Sequence, residues 1–400
     1  MTCDELSLSD LAAGFGTPLY VYSWAKIEED YRRFEAAFTS VSHLVCYAAK
    51  ANSSLAILKR LAQLGSGADV VSGGELRAAL ECGIRADRIV FSGVGKTHAE
   101  IAQGVEAKIL AFNAESEREI EKIGAAARER GSVARVALRV NPDIDARSHP
   151  HISTGLKKNK FGVDIARAKA IFEKAAALPG VRMVGVQAHI GSQIVEPEPL
   201  AETARELAEL AQDLERSGFN IETLDVGGGI GIGEKGLSPE AYASAVLPAL
   251  EKLPYRILVE PGRAIVGRAG VLLTRVLYVK EERNRTFVIV DAGMNDLLRP
   301  ALYDAVHPVE PVKPEKKPNI RADVVGPVCE TADFFLRDAE LPRPDEGDLL
   351  AIRDAGAYGF AMSSNYNFRP RAAEVLIENG AALLSRRRET FEDLTRLEHV

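Results

Sequence analysis

The chain has 400 residues, of which 46% are hydrophobic and 27% charged, and this length predicts two domains. Its formal net charge of −7 argues against a nucleic-acid-binding surface, which would need a basic patch. The acidic first residues argue against a secretion signal, and no apolar run reaches the length of about 18 residues that a membrane span needs.

The four cysteines, Cys3, Cys46, Cys82 and Cys329, lie far apart in the sequence and form no CxxC pair. Disulfide frameworks and zinc sites usually show closely paired cysteines. We therefore expect no metal site, and we expect a cytoplasmic protein, because free thiols suit a reducing compartment.

Short apolar runs alternate with amphipathic stretches between about residues 27 and 268. The stretch at 199–218 repeats apolar residues at intervals of three and four, as a helix that covers a sheet requires. Eight such units predict an α/β fold, a (β/α)8 barrel of the TIM type, although an open doubly wound sheet shares the local pattern. The strand candidates are 43–49, 68–71, 88–93, 108–112, 135–140, 184–190, 223–229 and 256–262.

After about residue 269 the pattern changes to strand-like runs that are broken by proline, glycine and charged turns. These runs predict a second, mostly β domain over residues 269–400. The segment TPLYVYS, residues 17–23, is also strand-like and has no matching helix. We expect residues 1–26 to join the β domain, so that the barrel at 27–268 is inserted within it.

Polar or glycine-rich clusters follow nearly every barrel strand, at the end where such barrels build their active sites. Strand seven ends in Gly227, Gly228 and Gly229, whose backbone amides can approach a phosphate closely. Strand eight ends in EPGR, in which Gly262 is followed by the cation of Arg263. The sequence therefore predicts a phosphorylated ligand.

Three further residues at strand ends could carry chemistry. Lys50 is either a lysine that extends into solvent or an amine available to a carbonyl compound. His189 is either a hydrogen-bonded core histidine or a flat ring that stacks on an aromatic cofactor. Glu260 either pairs with Arg263 or holds a protonated pyridine nitrogen.

The predicted β domain contains its own candidates. Cys329 is either a buried small residue or a thiol that the turn at Gly326 exposes, with Glu330 directly after it. Arg299 and Tyr303 are neighbours if their segment is helical, and form either a solvated face or a carboxylate clamp. Tyr358, in GAYGF, is suited to close contact with a ligand.

Eight motifs occur in order along the chain: YAAKAN, HIGSQ, DVGGG, EPGR, DAGMNDLLRPALYDA, GPVCET, DAGAYG and MSSNYNFRPR. Together with the segment at 139–162 they resemble the diaminopimelate decarboxylases, over about residues 17 to 378. The resemblance implies a fold-type III enzyme that uses pyridoxal 5'-phosphate to convert meso-2,6-diaminopimelate into L-lysine and CO2.

The resemblance also implies residue roles. Lys50 would carry the cofactor covalently, His189 would stack on its ring and Glu260 would pair with its ring nitrogen. Cys329 would donate a proton and Glu330 would bind the substrate's distal ammonium, both reaching into the partner's site of a homodimer. The other implied cofactor contacts are Ser192, Gly227, Gly228, Gly229, Gly262, Arg263 and Tyr358, and the other substrate contacts are Arg263, Arg299, Tyr303 and Tyr358.

The departures from the family pattern, in EPGRAIVGRAG, DAVH and CET, remove no charged or nucleophilic group. A related decarboxylase of another basic or carrier-tethered amino acid is the nearest alternative. It would have no use for a site that matches an extra carboxylate and an extra ammonium. A racemase would need a base on each ring face, and a protein that only binds a partner would not need Lys50 or Cys329.

Overall fold

A computed structural model of the chain describes residues 1–146, 154–155, 159–283, 285–313 and 317–399. Of the segment at 139–162, residues 147–153 and 156–158 therefore lie outside the described residues. The chain forms two compact units, a barrel unit of residues 30–265 and a β unit of residues 1–29 and 266–400. No helix in these ranges is long and apolar enough to cross a membrane.

The first elements of the chain lead into the barrel. A short hairpin, β1 and β2, precedes helix α1, whose amino end is capped by the Ser7 hydroxyl. The bounds are β1 (Thr2–Cys3), β2 (Leu6–Ser7), α1 (Leu8–Phe15), β3 (Leu19–Ser23) and α2 (Trp24–Ala37).

The barrel unit contains eight parallel strands in the order β10-β11-β12-β4-β5-β6-β7-β8, and β8 pairs with β10. This last pairing closes the sheet, which confirms the predicted barrel and excludes the open sheet. A short β9 extends β8 on its other side. The strands are β4 (His43–Ala48), β5 (Gly67–Val70), β6 (Ile89–Phe91), β7 (Ala111–Ala114), β8 (Ala134–Asn141), β9 (Val163–Asp164), β10 (Val181–Gln187), β11 (Thr223–Asp225) and β12 (Arg256–Val259).

Amphipathic helices connect the strands. In α8 the buried residues Leu200, Ala204, Leu207, Ala211 and Leu214 recur at intervals of three and four, as the sequence pattern predicts. The helices are α3 (Leu55–Gln63), α4 (Gly73–Glu81), α5 (His98–Ala107), α6 (Glu117–Glu129), α7 (Ala168–Ala176), α8 (Glu198–Arg216), α9 (Pro239–Leu250) and α10 (Arg263–Val266).

The fourth barrel strand begins later than its apolar pattern suggests. We expect a strand at 108–112, but β7 begins at Ala111. Lys108 adopts the left-handed conformation with φ 54° and caps the end of α5, where its N–H bonds to the carbonyl of Gly104. Ile109 and Leu110 are therefore buried in the turn that follows the helix, and the apolar pattern alone cannot separate this turn from a strand.

The β unit is built around one sheet in the order β17-β16-β14-β13-β3-β19-β20, in which β18 also pairs with β13 and β15 pairs with β18. Strand β3 lies between β13 and β19, which confirms that segment 17–23 pairs with C-terminal strands. The bounds are β13 (Gly270–Glu282), β14 (Arg285–Val290), α11 (Arg299–Tyr303), β15 (Val309–Pro311), β16 (Asn319–Val325), β17 (Phe334–Pro342), β18 (Leu349–Ile352), β19 (Ala373–Glu378), β20 (Ala381–Arg386) and α12 (Phe391–Thr395).

Candidate active site

Lys50 lies just beyond the carboxyl end of β4, in a short 3-10 turn formed by Ala49–Ala51. Its ammonium donates a hydrogen bond to Asp69, a fully buried carboxylate in β5. The side chain of Lys50 is 32% exposed, so the amine is held by a charge partner and can still be reached from solvent. This arrangement fits an amine that reacts with a carbonyl compound better than a lysine that only extends into solvent.

Glu260 is buried at the end of β12 and belongs to a cluster of acids. Its two carboxylate oxygens accept hydrogen bonds from Asn113 Nδ2 and Gln187 Nε2, each at 3.2 Å. Burial raises the pKa of Glu260 well above its usual range, and the nearby charges of Asp225 and Asp69 raise it further. Burial likewise raises the pKa of Asp225 to about 6.

The buried carboxylates of Asp69, Asp225 and Glu260 thus lie near one another, and the ammonium of Lys50 pairs with Asp69. A bound cation would stabilise the ionised form of Glu260, because opposite charges at short range favour each other in a poorly solvated site. A protonated pyridine nitrogen is a cation of suitable size and shape for this position.

The glycines after β11 are closely packed against neighbouring backbone. Asp225 Oδ1 accepts a hydrogen bond from the Gly227 N–H at 2.8 Å, and the Glu260 N–H donates to the Gly227 carbonyl at 2.7 Å. A Cβ atom on Gly228 would lie 2.1 Å from the Glu260 carbonyl oxygen, and one on Gly229 would lie 2.0 Å from that of Gly191. Only glycine fits at these two positions, where the backbone forms a narrow cradle.

His189 is neutral and its tautomer follows from its partner. Its Nδ1 lies 3.3 Å from the Gly228 nitrogen, and a backbone N–H can only donate, so Nδ1 accepts and the ring proton sits on Nε2. Burial lowers the pKa of His189 well below its usual value, and the charges of Arg139 and Lys50 lower it further. A neutral, flat ring held at the end of a strand fits stacking on an aromatic cofactor.

Arg263 begins the short helix α10 and is buried. Its Nη2 donates to the Ser192 hydroxyl at 3.0 Å, which joins two of the predicted cofactor residues. A Cβ atom on Gly262 would come within 3.0 Å of the side chains of Ala48 and Ala51, so this position also needs a small residue. The barrel unit thus combines an amine, a buried acid, a flat imidazole and a glycine cradle beside a guanidinium. These groups fit pyridoxal phosphate.

The β unit presents Cys329 and Glu330 at an exposed turn, which favours an accessible thiol over a buried one. The Cys329 N–H donates to Asn367 Oδ1 at 2.9 Å, and the Tyr366 hydroxyl donates to Glu330 Oε2 at 3.2 Å. Asp333 fixes the base of the turn by accepting from the Val328 N–H at 2.6 Å. Two residues of the MSSNYNFRPR motif therefore hold the turn, which sequence reasoning did not predict.

Arg299 and Tyr303 occupy the first and last positions of α11, so their segment is helical and the two residues are neighbours on it. Arg299 is 5% exposed and Tyr303 is half-buried. A buried guanidinium needs polar or anionic partners, so a solvated helix face does not describe Arg299. Tyr358 has φ 55°, a left-handed conformation that is uncommon for a tyrosine and is typical of functional loops.

The pyridoxal-binding domain family, described as "Pyridoxal-dependent decarboxylase, pyridoxal binding domain", matches residues 24–267. Fold and family together define the chain as a pyridoxal-phosphate-dependent decarboxylase.

A diaminopimelate decarboxylase of Aquifex aeolicus is 47% identical over 393 residues, covering 97% of this chain and 93% of the relative. One of Pseudomonas aeruginosa is 48% identical and covers 98% and 95%. The crystal structure of the Helicobacter pylori diaminopimelate decarboxylase complexed with L-lysine has a TM-score of 0.94 and 46% identity, and 98% of each chain is covered. The chain belongs to the diaminopimelate decarboxylase family.

Proposed function

We propose that this chain is a carboxy-lyase that converts meso-2,6-diaminopimelate into L-lysine and CO2, the last step of lysine biosynthesis. The observation that carries the proposal is similarity over nearly the whole chain to diaminopimelate decarboxylases, one of which is solved with L-lysine. The acid cluster, the glycine cradle and the lysine at the barrel strand ends support the same chemistry.

The barrel unit supplies the cofactor site. We assign Lys50 to the covalent attachment of pyridoxal phosphate, His189 to stacking and Glu260 to the ring nitrogen. The phosphate would be held by the glycine cradle with Gly262, Arg263 and Ser192. When bound, the cofactor supplies an electron sink for the electron pair that remains after CO2 departs.

The β unit supplies the contacts that select the substrate. Diaminopimelate carries a second α-amino-carboxylate, so its site must match one extra carboxylate and one extra ammonium. Arg299 and Tyr303, with Arg263 of the barrel unit, match the carboxylate, and Glu330 matches the ammonium. Tyr358 would contact both cofactor and substrate. A simpler amino acid would leave these polar groups unpaired and would therefore bind poorly.

Two groups would move or hold protons. The Cys329 thiol would deliver a proton to the substrate carbon that has lost CO2. Asp69 would hold the ammonium of Lys50 whenever that amine is not bonded to the cofactor, as its hydrogen bond to Lys50 supports. Arginine and tyrosine contacts at the far end of the substrate would orient the breaking bond.

The enzyme would act as a cytoplasmic homodimer with shared sites. In this arrangement residues 27–268 bind the cofactor, and residues 1–26 and 269–400 supply substrate and dimer contacts. Cys329 and Glu330 of one protomer would serve the cofactor site of its partner. The exposed position of their turn supports this assignment. A proton donor in a decarboxylase works best where water is excluded, and a second protomer would cover the turn and exclude water from it.

The test is a CO2-release assay with meso-diaminopimelate, its L,L isomer, L-lysine and L-ornithine as substrates. We expect kcat/KM for the meso isomer to exceed the values for the other substrates by about 10⁴. Each of the others lacks or misplaces one of the matched groups, so it would leave polar groups of the site unpaired. A comparable kcat/KM for ornithine would overturn the assignment of the substrate but would leave the assignment of the reaction, decarboxylation, intact. Activity on none of them, with no cofactor absorbance in the purified protein, would favour a protein that only binds a partner.

The variant Glu330→Gln sharpens this assay. It keeps the shape of the side chain and removes the charge that we assign to the distal ammonium. We expect the ratio of kcat/KM for the meso isomer to kcat/KM for the other substrates to fall about 10- to 100-fold. The temperature of thermal unfolding should stay unchanged, because Glu330 is exposed. An unchanged substrate preference would remove Glu330 from the substrate site.

A further inference from the structure

His307 is a buried histidine of the β unit that has no role in the proposed mechanism; the residue is 1% exposed. It lies in the sequence ALYDAVH, four residues after the end of α11. The Nε2 atom of His307 and the Nη1 atom of Arg299 are 2.7 Å apart. The contact joins this histidine to the arginine that we assign to the distal carboxylate of the substrate.

The contacts of His307 with Arg299 and Arg353 define where its proton sits. Its Nδ1 lies 2.8 Å from the carbonyl oxygen of Arg353, and a carbonyl can only accept, so Nδ1 carries the hydrogen. A guanidinium can only donate, so Nε2 must present its lone pair to Arg299. One tautomer of the neutral imidazole satisfies both contacts at once.

The backbone around His307 fixes this geometry. Asp304 ends α11 in the left-handed conformation with φ 50°, and its N–H bonds back to the Arg299 carbonyl. The following strand β15 then pairs with β18, and the Arg353 N–H donates to the Pro308 carbonyl at 2.8 Å. The backbone of His307 therefore leads directly into paired sheet, and its Nδ1 is bonded to the carbonyl of Arg353 beside β18, which gives the imidazole little freedom to move.

We propose that His307 is the positioning residue of the substrate clamp, holding one edge of the Arg299 guanidinium through the lone pair of Nε2. The proposal rests on the proposed role of Arg299 in binding the distal carboxylate. A bidentate arginine–carboxylate contact depends on the plane of the guanidinium, and a fixed acceptor on one nitrogen restricts how that plane can rotate. Histidine is suited to the task because it can accept from an arginine while donating to a carbonyl.

The proposal predicts that a change at His307 acts on substrate binding and that an acceptor in its place preserves the effect. His307→Asn retains a donor near the Nδ1 position and loses the acceptor that faces Arg299. We expect it to raise KM for meso-diaminopimelate about 10- to 100-fold, the range for losing a hydrogen bond to a charged group, with a smaller fall in kcat because the clamp also orients the breaking bond. His307→Gln places an oxygen near Nε2, and we expect its KM to stay within about threefold of the wild type.

Two controls separate positioning from folding. His43 has a similar arrangement, with Nδ1 3.1 Å from the Val41 carbonyl and Nε2 3.5 Å from Glu35, at the amino end of a barrel strand. His43→Asn therefore removes a comparable pair of contacts far from the strand ends that carry the cofactor site, and KM should not change. His307→Met, which also lacks a strong acceptor and packs adaptably, replaces His307→Asn if that variant does not fold.

A double-mutant cycle tests whether His307 acts through Arg299. In an Arg299→Ala background, His307→Asn should cause no further rise in KM, because the group it positions is gone. Additive effects, an unchanged KM in the single variant, or an equal rise of KM in His307→Gln would each overturn the proposal. A wild-type enzyme without activity on meso-diaminopimelate would instead overturn the proposed function, and this outcome is seen before any variant is made.

Discussion

The two groups of candidate site residues differ in how their own chain holds them. In the barrel unit, Glu260 and His189 are fixed by buried side chains and by closely packed glycine backbone. In the β unit, Cys329 and Glu330 lie exposed on a turn that two residues of a neighbouring loop hold in place. The candidate cofactor residues are therefore preorganised within one chain, whereas the turn that carries Cys329 and Glu330 is open to solvent.

The largest expected effect lies on the barrel side of this comparison. Lys50→Ala should abolish the absorbance of the bound cofactor and lower turnover by several orders of magnitude, because the variant lacks the amine that we assign to the covalent link. Lys174→Ala, which alters an exposed lysine paired with Glu117, is the matched control and should leave both unchanged. Retention of absorbance and activity in Lys50→Ala would remove this residue from the mechanism.

On the β side, Cys329→Ala should separate cofactor binding from proton delivery. We expect kcat to fall about 10²- to 10⁴-fold, the usual range for losing a general acid, while the cofactor absorbance stays as in the wild type. Cys82→Ala changes a partly buried thiol at the end of helix α4 and should alter neither kcat nor the cofactor absorbance. Loss of cofactor absorbance in Cys329→Ala would show that the two halves of the site are not separable in this way.

A smaller effect tests how the exposed turn is held. Tyr366→Phe removes the hydroxyl that donates to Glu330, and we expect kcat/KM for meso-diaminopimelate to fall roughly three- to tenfold. The effect should be modest because the hydrogen bond is exposed to solvent. Tyr278→Phe, on a more exposed tyrosine of β13, should not change kcat/KM. Equal kinetics of both variants would mean that Tyr366 does not orient Glu330.

Apolar periodicity predicted the barrel well because each strand is buried and each helix has one buried face, as in α8. It could not predict the partners of the cofactor residues. Asp69, Asn113 and Gln187 are polar residues within mostly apolar strands, and the order of the strands in the barrel brings them to Lys50 and Glu260. A buried polar residue in a strand is a usable signal, because it needs a partner.

The turn contacts in the β unit were harder to predict for a different reason. Tyr366 and Asn367 lie in a motif that marks the family, yet their roles depend on loop conformation. Asn367 and Phe368 have φ values of 53° and 59°, so the backbone turns sharply there. The side chains of this segment show no helix or strand periodicity from which its conformation could be predicted. The contacts of His307 could not be predicted for a further reason, because they join residues 8 and 46 positions apart.

The most direct test of the account is complementation between two inactive homodimers. Lys50→Ala and Cys329→Ala proteins, unfolded and refolded together, should form mixed dimers in half of the population. If Cys329 serves the partner's site, each mixed dimer has one intact site and one doubly altered site, and the mixture should recover roughly one quarter of wild-type activity. If both residues act within one chain, every site keeps one lesion. A mixture that stays inactive, with exchange confirmed by differently tagged chains, would contradict the shared site.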